Sequence, residues 1–436
     1  MKNAREIAFD LLLKVYKKGS YSNLALKSTI TKEGLDSNAA AFLSKLVLGV
    51  IERELTLDYN ISLYLREPIK KLKPEILCTL RLGAYQIFFM DSVPVSAAVN
   101  ESVKIIKKTK YKFAQGLVNA VLRKISYNGL KLPDSENAAE NLSVRYSCPV
   151  WLVELWLKSY GEENTISILE HSVKVPKTYA RVNSQRIAKD ELIKLLKLEG
   201  INAKENKIAS NAICFESGGD IAASQAFKDG YFHFQDLSSQ ILCQEIEAGK
   251  GELIFDLCAA PGGKTFTLAQ EVGKEGLVKA FDINEKRLKL IKNNLERLKL
   301  ENVRIQVGDA GVFDESLGRA NLVLCDVPCS GFGVIASKPE IKYKKKELID
   351  KLPKLQYFIL CNACGYVKDG GLLVYSTCTL NPRENEDVCR KFIDKYKDEF
   401  EVLPYKENED FRNIFPSQFK SDGFFYAVFK KRGRAN

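Results

Sequence analysis

Histidine is almost missing from this chain of 436 residues: there are two, His171 and His233. That scarcity excludes His-rich metal chemistry and leaves little room for a Ser-His-Asp hydrolase. Long apolar runs are missing as well, since no stretch approaches the ~18 uninterrupted apolar residues of a membrane-spanning helix. The opening MKNAREIAFDLLLKVYKKG scatters charges through its length and has no small-residue cleavage site, so it does not read as a secretory signal. A disulfide framework is lacking too. The 11 cysteines follow no such spacing, which suits reduced thiols and implies a cytoplasmic protein. Cys361 and Cys364 have no second pair at zinc-ribbon spacing, so no metal site is expected. What remains is 45% hydrophobic and 28% charged, which excludes wholesale disorder, and the length predicts two or three domains.

The charge is unevenly placed. Net charge is +11, and the first 135 residues hold 22 Lys and Arg against 12 Asp and Glu, while the rest is near balance. A basic N-terminal third predicts nucleic-acid contact; the plainer alternative is a well-solvated helical surface. Within residues 1–130, apolar residues recur at helical spacing in the sets Ile7, Leu11, Val15; Leu43, Val47, Val50; and Leu117, Val121, Ile125. Gly19, Pro68, Pro74 and Pro94 punctuate them, and Ser96 reads as an N-cap. This is an all-α domain. Residues 128–143 are polar and read as a linker, and 144–235 as a small α/β subdomain with a helix near 189–199 and a strand at AICFES.

From 236 to 436 the pattern alternates. Apolar runs end LIFDLC (253–258), LVKAFDI (277–283), VRIQVGD (303–309), NLVLCDV (321–327), GLLVYST (371–377) and FFYAVFK (424–430), with helical stretches between them. Such runs predict a parallel, doubly wound, Rossmann-like sheet, whose ligands lie beyond the carboxyl ends of its strands. The first run leads into Cys258-Ala259-Ala260-Pro261-Gly262-Gly263-Lys264, a small-residue loop opening a helix, where free N–H groups attract an anion. Cys258 stands where a Walker A loop needs glycine, so an NTPase is not expected. Asp282, Asp309 and Asp326 end the next three runs. Three carboxylates on one edge suit a ligand with a ribose, an adenine amine and an ammonium group, and S-adenosylmethionine has all three. The competing reading is that each merely caps a helix.

Two cysteines share that edge. Cys329 follows Asp326-Val327-Pro328, and Cys378 lies in Tyr375-Ser376-Thr377-Cys378-Thr379. Cytosine is a poor nucleophile at carbon 5 until a thiolate adds at carbon 6, and an acid near ring nitrogen 3, here Asp326, would stabilise the adduct. Chemistry requires one attacking thiolate and does not say which cysteine supplies it.

The strings FQDLSSQ (234–240), DLCAAPGGKT (256–265), FDINEKRL (281–288), GDA (308–310), DVPCSG (326–331), YSTCTLNPRENE (375–386) and DGFFYA (422–427) resemble the Sun/Nop family of RNA 5-cytosine methyltransferases. NAREIAFDLLLKV, LRLGAYQIFFMDSVPVSAAVNESV and GLVNAVLRKI resemble the NusB-like RNA-binding domain carried by one bacterial branch, which acts on small-subunit ribosomal RNA. The resemblance implies a 1–130 NusB-like domain, a 144–235 subdomain and a 236–436 methyltransferase domain. It implies S-adenosylmethionine bound by Cys258 to Lys264 with Asp282, Asp309 and Asp326. It makes Cys378 the nucleophile and Cys329 the aid to product release. The implied substrate is 16S ribosomal RNA, free or within a small-subunit precursor; transfer RNA, or a non-catalytic assembly role, are the alternatives. Lys338-Pro339-Glu340 departs from the His-Pro-Asp frequent in the family.

Overall fold

The computed structural model describes residues 3–18, 22–217, 219–407 and 409–433, so Gly19, expected to mark a helix boundary, lies outside the described residues. The chain divides into two compact units. One runs to Lys174 and also takes in the segment Ile335–Tyr343; the other comprises the remainder.

The first unit is helical among its described residues, with helices that include Ala4–Lys18, Ser37–Glu52, Pro74–Phe89, Val95–Lys107 and Gln115–Asn128. The expected apolar faces make its core: Ile7, Leu11 and Val15 are buried, as are Leu43, Val47 and Val50. On Gln115–Asn128 the buried set is Val118, Val121, Leu122 and Ile125, so Val121 and Ile125 are buried as expected while Leu117 is exposed. Pro74 opens its helix where a missing N–H costs nothing. Ser96 does not cap, because the helix already begins at Val95 behind Pro94. The polar stretch expected to be a linker closes into the helix Ala138–Tyr146, capped by Asn137. The segment Ile335–Tyr343 is held in this unit by its polar groups. Glu340 accepts from Ser22 N at 3.2 Å and Ser22 Oγ at 2.8 Å, and Lys342, with no exposed surface, donates to Glu52 O at 2.7 Å.

The second unit holds two sheets. The smaller is antiparallel, in the order β2-β3-β1-β4, from β1 (Thr178–Val182), β2 (Asn202–Glu205), β3 (Ala212–Ser217) and β4 (Phe232–Phe234). The helix Lys189–Leu198 seals it, burying Leu192 and Leu196 with Ile213 and Phe232. The larger sheet contains β5 (Leu253–Asp256), β6 (Leu277–Asp282), β7 (Val303–Val307), β8 (Ala320–Asp326), β9 (Val367–Thr377), β10 (Phe400–Leu403), β11 (Arg412–Ile414) and β12 (Phe424–Lys431). Its order is β10-β12-β9-β8-β5-β6-β7, with β11 beside β12. Successive residues of β5 point to opposite faces, so Ile254 joins one apolar cluster with Leu268 and Ile291 while Phe255 joins another with Ile359 and Phe392. Both faces are covered, as a doubly wound fold requires.

The sheet is not wholly parallel, as the apolar runs had suggested. Strands β5 to β9 are parallel, but β12 runs antiparallel to β9, β10 and β11. The chain crosses over from β9 through the helix Glu386–Tyr396 to β10, then returns as β12 between the two, and β10 and β11 are only four and three residues long. Between β7 and β8 the expected helix shrinks to the single turn Glu315–Leu317. Because β5 neighbours both β6 and β8, the order reverses at β5. The crevice beyond its carboxyl end is therefore where a ligand would sit.

Candidate active site

The chain leaves β5 through Leu257 to Pro261 and enters the helix Gly263–Val272, whose N-cap, Gly262, provides no side-chain bond to the first turn. The first-turn N–H groups thus face the crevice uncapped, an arrangement that favours an anion. Gly262 has φ +108°, and a Cβ there would come within 2.3 Å of the Phe266 ring. Only glycine fits this turn. The Ala260–Pro261 peptide is cis. Beneath the loop, buried Asp256 accepts from Thr265 Oγ1 at 2.6 Å, and burial pushes its carboxyl up to about 7.

The three aspartates occupy distinct positions along the edge. Asp282, nearly enclosed, accepts from Ala260 N at 3.3 Å and Asn284 N at 2.9 Å, with Arg287 Nη1 at 3.2 Å, so it ties the end of β6 to the glycine loop. Asp309 is exposed and accepts from Gly311 N at 2.8 Å. It borders a hollow of about 280 Å³ whose walls include Leu257, Phe281, Ala310 and Val312. Asp326 belongs to the other half of the crevice. Its Oδ2 lies 2.7 Å from Lys264 Nζ and its Oδ1 accepts from Ser376 Oγ at 2.8 Å. Burial works to lower the Lys264 ammonium, but Asp326 overrides it and holds the lysine above its ordinary value, charged. Lys264, expected among the cofactor-binding residues, thus spends its ammonium on Asp326, and the Phe424 ring lies 5.0 Å from it.

The two cysteines meet. Cys329 Sγ is 3.3 Å from Cys378 Sγ, the first on the loop after β8 and the second just after β9. The Cys329 thiol is pushed well up, chiefly by its hydrogen bond to Cys378, then by burial, then by the negative charges of Cys378, Glu384 and Asp326. Either sulfur can donate in that contact. Asp256, Thr265 and Ser376 were overlooked as site residues although each lies in or beside a quoted string. Their signal was adjacency to the loop and to Cys378. Glu384 and Asn385 lie in the string YSTCTLNPRENE as well, whereas nothing local marked Gln356; all three bond to the cysteine loops.

Three family models match the chain: 16S rRNA methyltransferase RsmB/F over residues 244–430, the NusB family over 2–127, and an RsmF/B-like ferredoxin-like domain over 148–222. A protein of Bacillus subtilis named "Probable ribosomal RNA small subunit methyltransferase B" is 34% identical, over 99% of this chain and 99% of its own. This chain belongs to the ribosomal RNA small subunit methyltransferase B family. A second member, from Proteus mirabilis, is 32% identical over 99% of both chains. Among solved structures, the crystal structure of PH0851 matches with a TM-score of 0.82 at 25% identity, covering 99% of each chain. Membership in the methyltransferase B family bears out the resemblance read from the strings and makes the chain an RNA methyltransferase. The family's NusB helical domain, small ferredoxin-like subdomain and Rossmann-like core are all present. Among the described residues no helix is long and apolar enough to cross a membrane.

Proposed function

We propose that this protein transfers a methyl group from S-adenosylmethionine to carbon 5 of a cytosine in 16S ribosomal RNA, through a covalent bond between Cys378 and carbon 6. The observation that carries the reading is the 3.3 Å contact of Cys329 and Cys378 sulfurs on the same strand-end edge as the Lys264–Asp326 pair. One thiol donating to another leaves the acceptor as the stronger nucleophile, and the resemblance of the YSTCT string to the family motif assigns that role to Cys378.

The residues present fit S-adenosylmethionine: an uncapped helix N-terminus for its carboxylate, the buried Asp282 carboxylate for ribose hydroxyls, and Asp309 beside an apolar-walled hollow for adenine. When bound, it supplies an electrophilic methyl group. The chain does the rest. The Cys378 thiolate adds to carbon 6, and the Lys264–Asp326 pair supplies a proton at ring nitrogen 3, so carbon 5 gains the electron pair with which it takes the methyl group. After the methyl group is transferred, Cys329 gives its proton to water. Its thiolate then takes the carbon 5 proton. The ring double bond reforms, nitrogen 3 returns its proton to the pair, and the carbon 6–sulfur bond breaks with its electrons on Cys378.

The test is to incubate the purified protein with ribosomal RNA and methyl-labelled S-adenosylmethionine, then map the product by bisulfite sequencing. Label at carbon 5 of one cytosine in 16S RNA is expected. Label confined to transfer RNA, or to another atom, would overturn the substrate or the chemistry. An absence of transfer would favour a non-catalytic assembly role.

A further inference from the structure

The loops that carry the two thiols are each pinned by one of two adjacent residues, Glu384 and Asn385. Resting on the cytosine reading above, we propose that Glu384 is the positioning residue for Cys329 in product release, and Asn385 the positioning residue for Cys378 in attack. Both are fully enclosed. Glu384 Oε2 accepts from Ser330 N at 2.8 Å and from Gln356 Nε2 at 2.9 Å, while its Oε1 accepts from Asn381 Nδ2 at 2.7 Å. The same Gln356 nitrogen donates to Pro328 O at 2.9 Å. The residues on either side of Cys329 are thus tied to one carboxylate, Ser330 directly and Pro328 through Gln356. Asn385 does the same for Cys378. Its Oδ1 accepts from Thr377 Oγ1 at 2.7 Å and its Nδ2 donates to Thr379 O at 2.9 Å. A lateral contact between Ser330 Oγ and Thr379 Oγ1 at 2.7 Å joins the loops.

A buried carboxylate is costly unless donors surround it. Here every group on its oxygens is an N–H, so a glutamine in its place would turn an NH₂ toward another donor and release one side of the Cys329 loop. Lys344 Nζ on Ser330 O at 2.8 Å holds the far side of the same loop, while Gln356 holds the Pro328 carbonyl. The contact it fixes is the one release depends on: the carbon 5 proton passes to the Cys329 sulfur, the freed pair restores the ring, and the carbon 6–sulfur electrons return to Cys378. Displacing a reacting group by about 1 Å costs about 100-fold.

The test compares full-length Glu384→Gln and Asn385→Ala with the wild type and with Cys329→Ala, following adduct on denaturing gels and methylated RNA in solution. Glu384→Gln is expected to form adduct at near the wild-type rate but to release it about 100-fold more slowly, so that adduct accumulates. Asn385→Ala is expected to slow adduct formation without accumulation. A merely structural role would slow both steps alike in both variants, and that result, or normal release by Glu384→Gln, would overturn the proposal. If Glu384→Gln fails to fold by circular dichroism, Gln356→Met, which removes the bridge to Pro328, is read by the same criteria. Adduct trapped by Cys329→Ala but not by the Glu384 variant would defeat only the positioning role. Neither adduct nor methylcytosine from any protein, wild type included, would instead defeat the cytosine reading.

Discussion

Each unit of the chain buries a lysine, and the two are held in opposite ways. Lys264, at the catalytic edge, meets the Asp326 carboxylate at 2.7 Å and stays above its ordinary value. Lys342, in the segment that joins the helical unit, donates to the Glu52 carbonyl at 2.7 Å, and burial pulls it down to about 8. Desolvation acts on both in the same direction. A full counter-charge in contact reverses it, whereas a carbonyl dipole does not. The catalytic unit thus keeps a proton-bearing cation beside its thiols, while the helical unit uses its lysine as a hydrogen-bonded post.

The comparison is broken most completely at the two sulfurs that share the strand-end edge with the Lys264–Asp326 pair. Cys378→Ala is expected to lower turnover by about 10⁴-fold or more and to form no adduct. Cys329→Ala should attack, transfer the methyl group and stall as an adduct visible on denaturing gels. The inverse result, with adduct from Cys378→Ala and none from Cys329→Ala, would hand the nucleophile's role to the Pro328-Cys329 pair. Next in size is Asp326→Asn, which leaves Lys264 buried without its counter-charge. Turnover should fall about 10²–10⁴-fold through loss of proton transfer at the ring. Single-turnover rates on a folded variant check this, and an unchanged rate would reduce the pair to scaffolding.

Smaller again is Asp282→Ala, on the cofactor half of the crevice. Losing hydrogen bonds to a charged group should weaken S-adenosylmethionine binding by roughly 1.5–3 kcal/mol. Because Asp282 also accepts from Ala260 N and Asn284 N, part of that loss reflects a loosened loop. Calorimetry on the folded variant measures it, and an unaltered affinity would remove Asp282 from the site.

The contrast also explains what could be read from the sequence. Strand-end aspartates and the small-residue loop are linear signals: an apolar run, then a polar residue, in a fold that places every such junction on one edge. Membership in the methyltransferase family was legible from strings for the same reason. Pairing across the sheet was not. Lys264 finds Asp326 only because β8 lies beside β5, so a contact spanning 62 residues depends on strand order. Burial of polar groups was equally hidden. Gln356, Glu384 and Asn385 are polar residues that the loops close over, and Glu340, noted only as a departure from His-Pro-Asp, is bonded to Ser22. The antiparallel edge was misread because β10 and β11 are too short to show a period, and the helix Ala138–Tyr146 because its composition is polar.

The smallest effect expected lies at Lys342, and it sharpens the comparison because it should carry the opposite sign. Its folded value of about 8 is below the ~10.4 of an unfolded lysine. Between those values the unfolded chain binds more protons than the folded one, so stability rises with pH across that window. Below about 8 the cost is fully present, on the order of 3 kcal/mol as an upper bound at ~1.4 kcal/mol per unit. Lys342→Met removes that cost but also the hydrogen bond to Glu52 O, and with it the positive charge that helps hold Glu52 ionised against its own burial. The net expectation is a gain of about 1–2 kcal/mol near pH 7, shrinking toward zero by about pH 10. Denaturant melts of the full chain at pH 7, 8.5 and 10 check both size and slope. A loss at pH 7, or a gain that does not change with pH, would mean that the carbonyl bond outweighs desolvation and that the two lysines differ less than their surroundings imply.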